Sequence, residues 1–126
     1  MEKTVLLSII ESRRHPDFSR LYERMGFEHR WVTSMRKALA EVKRTPPDYV
    51  VAEFYYGYGN NYAGVNISNL DVFLYSLEKY APGARVIALV QKHERQYAEK
   101  LNEIIPYHGF VLQPVRETEL QSLLTA

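Results

Sequence analysis

Short apolar runs alternate with helix-period segments along this chain, and the alternation restricts the possible folds more than any other feature of the sequence. The apolar runs fall at residues 4–10, 29–33, 49–54, 85–90 and 107–112. Between them, apolar residues recur at the three- and four-residue spacing of an amphipathic helix. Strands that alternate with helices usually pair in parallel. The sequence therefore predicts an α/β fold in which helices cover both faces of one parallel sheet.

Cap and breaker residues predict where the helices begin and end. Ser34 is a candidate N-cap, and Ser68 with Asp71 forms a candidate capping box. Gly26 is suited to terminate the first helix. The predicted helices run over 12–25, from Ser34 to the proline pair at 46–47, from Ser68 to Pro82, over 92–105 and over 117–124.

Length and composition limit the class of protein. A chain of 126 residues predicts a single domain over 1–126, and 46% hydrophobic with 25% charged residues is typical of a folded globular protein. A net charge of +1 predicts neither nucleic acid nor an anionic membrane as a partner. No apolar run approaches the roughly 20 residues that a membrane helix needs. The absence of cysteine excludes disulfides and thiolate metal sites, and it suits a cytoplasmic protein.

Three stretches of the sequence resemble the receiver (CheY-like) domain of response regulators. Ala-Leu at 38–39 is followed by Pro-Asp-Tyr-Val-Val-Ala-Glu at 47–53, where receivers typically read Ala-Leu and then Pro-Asp-Leu-Val-Leu-Leu-Asp. The run at 85–90 is similar to the family's fourth strand, which normally ends in Thr or Ser. Gly-Phe-Val-Leu-Gln-Pro-Val at 109–115 is similar to the family's Gly-Tyr-Leu-Xaa-Lys-Pro-Phe.

The resemblance covers nearly the whole chain and implies a flavodoxin-like (βα)5 doubly wound parallel sheet with strand order 2-1-3-4-5. In this winding the ligand site lies at the carboxyl ends of strands 1 and 3. The resemblance places Glu53, at the end of the third strand, where receivers carry the aspartate that is phosphorylated.

The other residues that receivers use for phosphotransfer are also replaced. The acidic pair that binds Mg²⁺ in the family falls at Ile9 and Ile10, and Glu11 is the only acid nearby. The hydroxyl residue that ends the fourth strand becomes Val90, and the lysine that pairs with the phosphoryl group becomes Gln113. Mg²⁺ needs oxygen ligands, and phosphoryl transfer needs cations around the phosphoryl oxygens. We therefore expect a pseudo-receiver with no phosphorylation, no metal or other cofactor and no enzymatic activity.

Three interpretations of Glu53 remain open from the sequence. Its carboxylate is either hydrogen-bonded into a vestigial pocket, a fixed charge that imitates the phosphorylated state, or a ligand-binding group. The loop over 55–66 bears on this choice because it is rich in Gly, Asn and Tyr and is longer than receivers usually have. It either packs over the old pocket or contacts a ligand or partner, since tyrosine suits recognition. Its candidate contact residues are Tyr55, Tyr56, Tyr58, Asn60 and Tyr62.

The surface formed by the fourth helix, fifth strand and fifth helix is the usual dimer and partner surface of receivers. The resemblance implies that this face binds a protein partner of a signalling pathway or a second copy of the chain. Its candidate residues are Arg95, Lys100, Glu103, Tyr107, Phe110 and Glu119. The alternative for this charge-rich helix is a solvated face without a partner.

The sequence favours a phosphorylation-independent protein-interaction module over the other classes. The four histidines show no metal-ligand spacing, and Gly57-Tyr58-Gly59 lacks the third glycine of a dinucleotide loop. The alternative function is a small-molecule sensor that uses the tyrosine-rich loop and Glu53. A weaker third hypothesis is a true receiver that is phosphorylated on Glu53.

Overall fold

The computed structural model describes residues 4–12, 17–55, 70–104 and 109–125, without the side chains of Asp71, Leu101 and Ile104. Its strands are β1 (Val5–Ile9), β2 (Glu28–Val32), β3 (Tyr49–Glu53), β4 (Arg85–Val90) and β5 (Gly109–Leu112). Its helices are α1 (Ser19–Arg24), α2 (Met35–Arg44), α3 (Asp71–Tyr80), α4 (Arg95–Ile104) and α5 (Glu117–Thr125). A 3₁₀ turn over Lys92–Glu94 leads into α4. The predicted alternation of strands and helices is confirmed. Within the described ranges, no helix is long and apolar enough to cross a membrane.

The five strands form one parallel sheet in the order β2-β1-β3-β4-β5, so the predicted winding is confirmed. At the end of β1, Ile9 pairs with Val32 on β2 and with Ala52 on β3. Glu53, the last residue of β3, pairs with Leu89 on β4. Because the order of the strands reverses between β1 and β3, their carboxyl ends leave a crevice at one edge of the sheet.

Two hydrophobic layers enclose the sheet, as the near-continuous apolar runs of its central strands predict. One layer packs α2, α3 and the first turn of α4 against the sheet. Its helical members include Ala38, Val42, Phe73, Leu74, Leu77 and Ala98. The other layer packs α1 and α5 against the opposite face. Its helical members are Leu21, Tyr22, Leu120 and Leu124. The two layers hold the strand ends at the crevice in fixed positions.

The first helix begins later than the sequence predicted. α1 starts at Ser19, whereas the prediction began the helix at Ser12. The Oδ1 of Asp17 accepts hydrogen bonds from the backbone N–H of Ser19 at 2.9 Å and from its hydroxyl at 2.5 Å. An aspartate that bonds the backbone two residues ahead forms a turn, and that turn competes with helical hydrogen bonding. Ser12 is consequently outside the helix and contacts the carboxyl end of β3 instead.

Two of the predicted helix boundaries are confirmed. The side chain of Ser34 accepts a hydrogen bond from the backbone N–H of Lys37 at 3.2 Å, as an N-cap does. Gly26 follows α1 with a φ of 83°, a left-handed conformation that glycine adopts without a steric penalty. The predicted capping box involves Ser68 and the side chain of Asp71, which lie outside the described part of the chain.

Candidate functional site

Glu53 lies at the carboxyl end of β3 with only 2% of its surface exposed. Side chains alternate along a strand, so Glu53 projects to the same face of the sheet as Val51, which belongs to the α1/α5 layer. Burying a carboxylate is costly unless hydrogen bonds replace its hydration. The partners of Glu53 therefore determine what this position does.

Two backbone amides just after β1 bind the Glu53 carboxylate. Its Oε1 accepts a hydrogen bond from the N–H of Glu11 at 2.6 Å and another from the N–H of Ser12 at 2.8 Å. Hydrogen bonds to an ionised acceptor are shorter and about twice as strong as neutral ones. The carboxylate thus ties the β1 end to the β3 end across the crevice.

Tyr55 closes the network from the other side. Its hydroxyl donates a hydrogen bond to the Glu53 carboxylate and accepts one from the Ser12 hydroxyl. Burial is the main cause that raises the pKa of Tyr55, followed by the negative charge of Glu53. The phenol is therefore neutral at physiological pH, which keeps it available as a donor.

A second carboxyl group lies close to Glu53. The carboxylate of Glu11 accepts a hydrogen bond from the backbone N–H of Met35, the first residue of α2. Burial and, after it, the charge of Glu53 raise the pKa of Glu11, while the bond from Met35 opposes that shift. Glu11 and Glu53 together could supply two carboxylate ligands to a metal ion. Within the described ranges, however, no group of three or more His, Cys, Asp or Glu residues is close enough to hold an ion.

The remaining positions of the predicted degenerate pocket lie around this crevice as apolar or neutral groups. Ile9 is buried in the α2/α3 layer and Ile10 in the α1/α5 layer, and Val90 at the end of β4 is fully buried. Gln113 follows β5 half-buried, and its backbone N–H donates to the carbonyl of Val90 at 2.7 Å. Its peptide bond to Pro114 is cis.

Only the first of the predicted loop residues belongs to the described part of the chain. Tyr56, Tyr58, Asn60 and Tyr62 lie outside it. Tyr55 is the described member of that set, and it contacts Glu53 rather than facing away from it.

Solved structures that superimpose on this chain include response-regulator receiver domains. A receiver domain protein from Clostridium thermocellum gives a TM-score of 0.75 at 18% identity, covering 97% of this chain and 91% of that one. Chemotaxis protein CheY4 from Vibrio cholerae gives 0.69 at 14% identity, with 98% of each chain covered. NtrX from Brucella abortus gives 0.76 at 16% identity over 98% of this chain, which spans only 26% of NtrX. This chain has the receiver fold.

At these identities the likeness concerns the fold alone, so function has to follow from the residues at the site. No sequence profile of a protein family matches the chain, and no curated protein matches it. In the receiver fold, Glu53 occupies the end of β3 and the segment after β1 lies opposite it. That relation was predicted from the sequence through the resemblance.

The α4-β5-α5 face of the receiver fold brings several of the predicted interface residues together. The guanidinium of Arg95 lies over the ring of Phe110, 5.9 Å from its centroid, and its Nε donates to Glu99 at 3.0 Å. Lys100, Glu103 and Glu119 are exposed, and Tyr107 lies outside the described residues. A shallow recess separates β5 from α5. It is lined by Phe110, Val111, Thr118, Glu119, Ser122 and Leu123.

Sequence reasoning missed two contributors to the Glu53 network. Ser12 was assigned to a helix, and Met35 was read only as part of an amphipathic segment. Both bind a carboxylate of this network through their backbone N–H groups, and a backbone group carries no residue-type signal. The one available signal was the isolated acid Glu11 beside a strand end, because an acid there commonly contacts the start of a neighbouring helix.

Proposed function

We propose that this chain is a pseudo-receiver, a non-catalytic cytoplasmic signalling module that binds a protein partner without being phosphorylated. The observation that carries this proposal is the enclosure of the Glu53 carboxylate by groups of the chain itself. Backbone amides of Glu11 and Ser12 and the hydroxyl of Tyr55 bond the group that would have to act as nucleophile.

These hydrogen bonds oppose phosphotransfer directly. A carboxylate that attacks a phosphodonor has to give up lone-pair contacts, and each hydrogen bond to a charged group contributes about 1.5–3 kcal/mol. The product would also carry close to two negative charges beside Glu11, about one more than the free carboxylate. In the described part of the pocket, the side chains of Ile9 and Val90 offer no metal ligand, and Gln113 is uncharged and cannot offset that charge.

The same contacts favour the vestigial-pocket interpretation of Glu53 over a ligand-binding one. A ligand-binding carboxylate presents its oxygens to solvent, whereas Glu53 is 2% exposed and directs Oε1 at its own backbone. The carboxylate then serves as a permanent link between β1 and β3. In this proposal the link keeps the module in one conformation. The module would then bind its partner constitutively, without a phosphorylation-dependent change of conformation.

The α4-β5-α5 face is the surface that we propose for the partner or a second copy of the chain. Phe110 is a half-buried aromatic ring beside the β5–α5 recess, and Arg95 stacks on it. Aromatic and arginine side chains dominate the binding energy of protein interfaces. Exposed charges of both signs surround this pair, as in the polar rim of an interface.

Treatment with a small phosphodonor tests the absence of phosphotransfer. We expect that acetyl phosphate with Mg²⁺ leaves the intact mass unchanged, because the nucleophile is engaged and no cation neutralises the product. A phosphorylatable receiver treated in parallel confirms that the donor is active. A stoichiometric gain of one phosphoryl group that disappears in Glu53→Gln would contradict the proposal.

Sedimentation of the protein over a range of concentrations tests the interface. We expect self-association that the double substitution Arg95→Ala, Phe110→Ala weakens at least about tenfold, since each anchor residue typically contributes more than about 1 kcal/mol. Tyr75→Ala, on the exposed side of α3, is the matched control and should leave association unchanged. A monomer at every concentration, or equal association in both variants, would rule out this face as the dimer surface.

A further inference from the structure

A recess between α1 and the β2 edge of the sheet lies apart from the Glu53 network and shares no residue with it. The recess is shallow: a water-sized sphere can occupy about 20 Å³ of it, and its mouth opens to solvent. Its walls come from β1, β2 and α1, and the segment just before α1 forms its rim. The lining residues are Ser8, Ile10, Asp17, Phe18, Tyr22, His29 and Trp31.

Aromatic rings form most of the wall. Trp31 is 52% exposed, and its ring lies nearly parallel to that of His29, with centroids 6.4 Å apart at 20°. Tyr22 meets His29 edge-on at 4.7 Å. The nitrogen Nε2 of His29 is 2.7 Å from the hydroxyl oxygen of the buried Ser8, which holds the imidazole in place. The recess is therefore a preformed aromatic surface rather than a flexible one.

Among the described residues that line this recess, Asp17 carries a negative charge. Asp17 lies at its rim and keeps its position because Oδ1 caps Ser19. Burial lowers the pKa of His29, so the imidazole is neutral at physiological pH and adds no positive charge. His29, when it is protonated, and the solvent-exposed Arg20 are the described groups whose positive charge acts on Asp17.

Two aromatic rings on this protein, Tyr80 and Phe110, already have cations over them. Lys43 and Lys79 lie 5.6 and 5.4 Å from the ring centroid of Tyr80, and Arg95 covers Phe110. Among the described residues, no lysine or arginine covers Trp31. Tryptophan is the strongest cation–π partner of the three ring types, and about 6 Å is the working distance.

We infer that this recess binds an organic cation, an alkylammonium or guanidinium group, between the Trp31 ring and the Asp17 carboxylate. The cation can belong to a free amine or to a basic side chain of a partner protein, since the recognising chemistry is the same. The proposal is independent of the pseudo-receiver function, because it uses neither Glu53 nor the α4-β5-α5 face.

Trp31 is the only tryptophan in the chain, so its indole N–H resonance can be assigned without ambiguity. Trp31 also borders a recess beside α2 that is lined by Lys37, Glu41 and Arg44, so the Asp17 variant below is needed to assign a shift to this site. We expect a saturable shift of that resonance with tetramethylammonium and with arginine amide at constant ionic strength. The neutral isostere tert-butanol should cause no saturable shift. Tighter binding of arginine amide would indicate a side chain as the natural occupant, and tighter binding of tetramethylammonium a free amine.

Asp17→Asn should weaken cation binding at least about threefold, because it removes the charge while keeping the oxygen that caps Ser19. Glu23→Gln, on the exposed side of α1, is the matched control and should bind as the wild type does. Equal binding of tert-butanol, unchanged binding in Asp17→Asn, or the absence of saturable binding by the wild type would each overturn the inference.

Discussion

Replacing Glu53 with alanine is expected to lower the free energy of unfolding by about 2–4 kcal/mol. The substitution leaves the N–H groups of Glu11 and Ser12 and the hydroxyl of Tyr55 without their shared acceptor. Each buried polar group that loses its partner costs about 1–3 kcal/mol. Relief from burying the carboxylate offsets part of this loss. Urea denaturation at neutral pH measures the difference.

Glu53→Gln separates a structural role of this residue from a functional one. Glutamine keeps an oxygen that can accept the same N–H bonds, so we expect it to cost about 1 kcal/mol. Glu99→Ala on α4 is the control, because Glu99 is an exposed carboxylate whose ion pair with Arg95 lies on the surface. If Glu53→Gln instead raised the free energy of unfolding, the negative charge of Glu53 would be destabilising in the wild-type protein. Glu53 would then be a functional carboxylate rather than a vestigial one.

Phe73→Ala is expected to cost about 3–5 kcal/mol, the usual range for removing a fully buried aromatic side chain. Phe73 is completely buried in the layer that packs α3 on the sheet. The substitution removes apolar area and leaves a cavity that close-packed neighbours cannot fill. The midpoint and slope of a denaturant titration measure the effect.

Tyr75→Ala is the matched control for that experiment. It removes an aromatic ring of similar size two residues along the same helix, at a position that is 59% exposed. We expect a loss below about 0.5 kcal/mol. Similar losses in the two variants would contradict the orientation of α3 on the sheet.

These stability measurements and the two binding proposals report on different parts of the molecule. The Glu53 substitutions act at the carboxyl ends of β1 and β3, and the interface variant acts at the β5 edge of the sheet. The Trp31 recess lies beside β2, at the opposite edge. Failure of one proposal therefore does not decide the others.

The strands were predicted within two residues at every boundary that the structure describes. Burial on both faces demands a run of apolar residues, and such a run is visible without any neighbour. Arg85–Val90 was predicted without error, and β3 differs from its prediction by one residue. In α3, Phe73, Leu74 and Leu77 recur at helical spacing in the sequence and all three are buried, because the amphipathic period is likewise a local property.

The start of α1 was predicted wrongly for a physical reason. Helical spacing of apolar residues begins only at Phe18, and the Asp17–Ser19 turn forms at that point instead of an earlier helical turn. The sequence pattern around residue 17 is compatible both with a helical turn and with the Asp17–Ser19 turn. The competing bonds of the Ser12 segment to the end of β3 contribute to the outcome, and they involve residues 41 and 42 positions apart.

From its order of residues alone, the chain specifies the receiver-like winding and the presence of an acid at the end of β3. The acid and the alternation of strands and helices follow from residue order and periodicity, which are local properties, whereas the winding was implied by the resemblance to receiver domains. Tertiary structure alone decides what the acid does, because its partners are backbone amides that meet it only when β1 and β3 pair. For the same reason, the Trp31 recess could not be predicted from the sequence. Its aromatic rings and Asp17 are scattered along the chain and converge only when α1 packs beside β2.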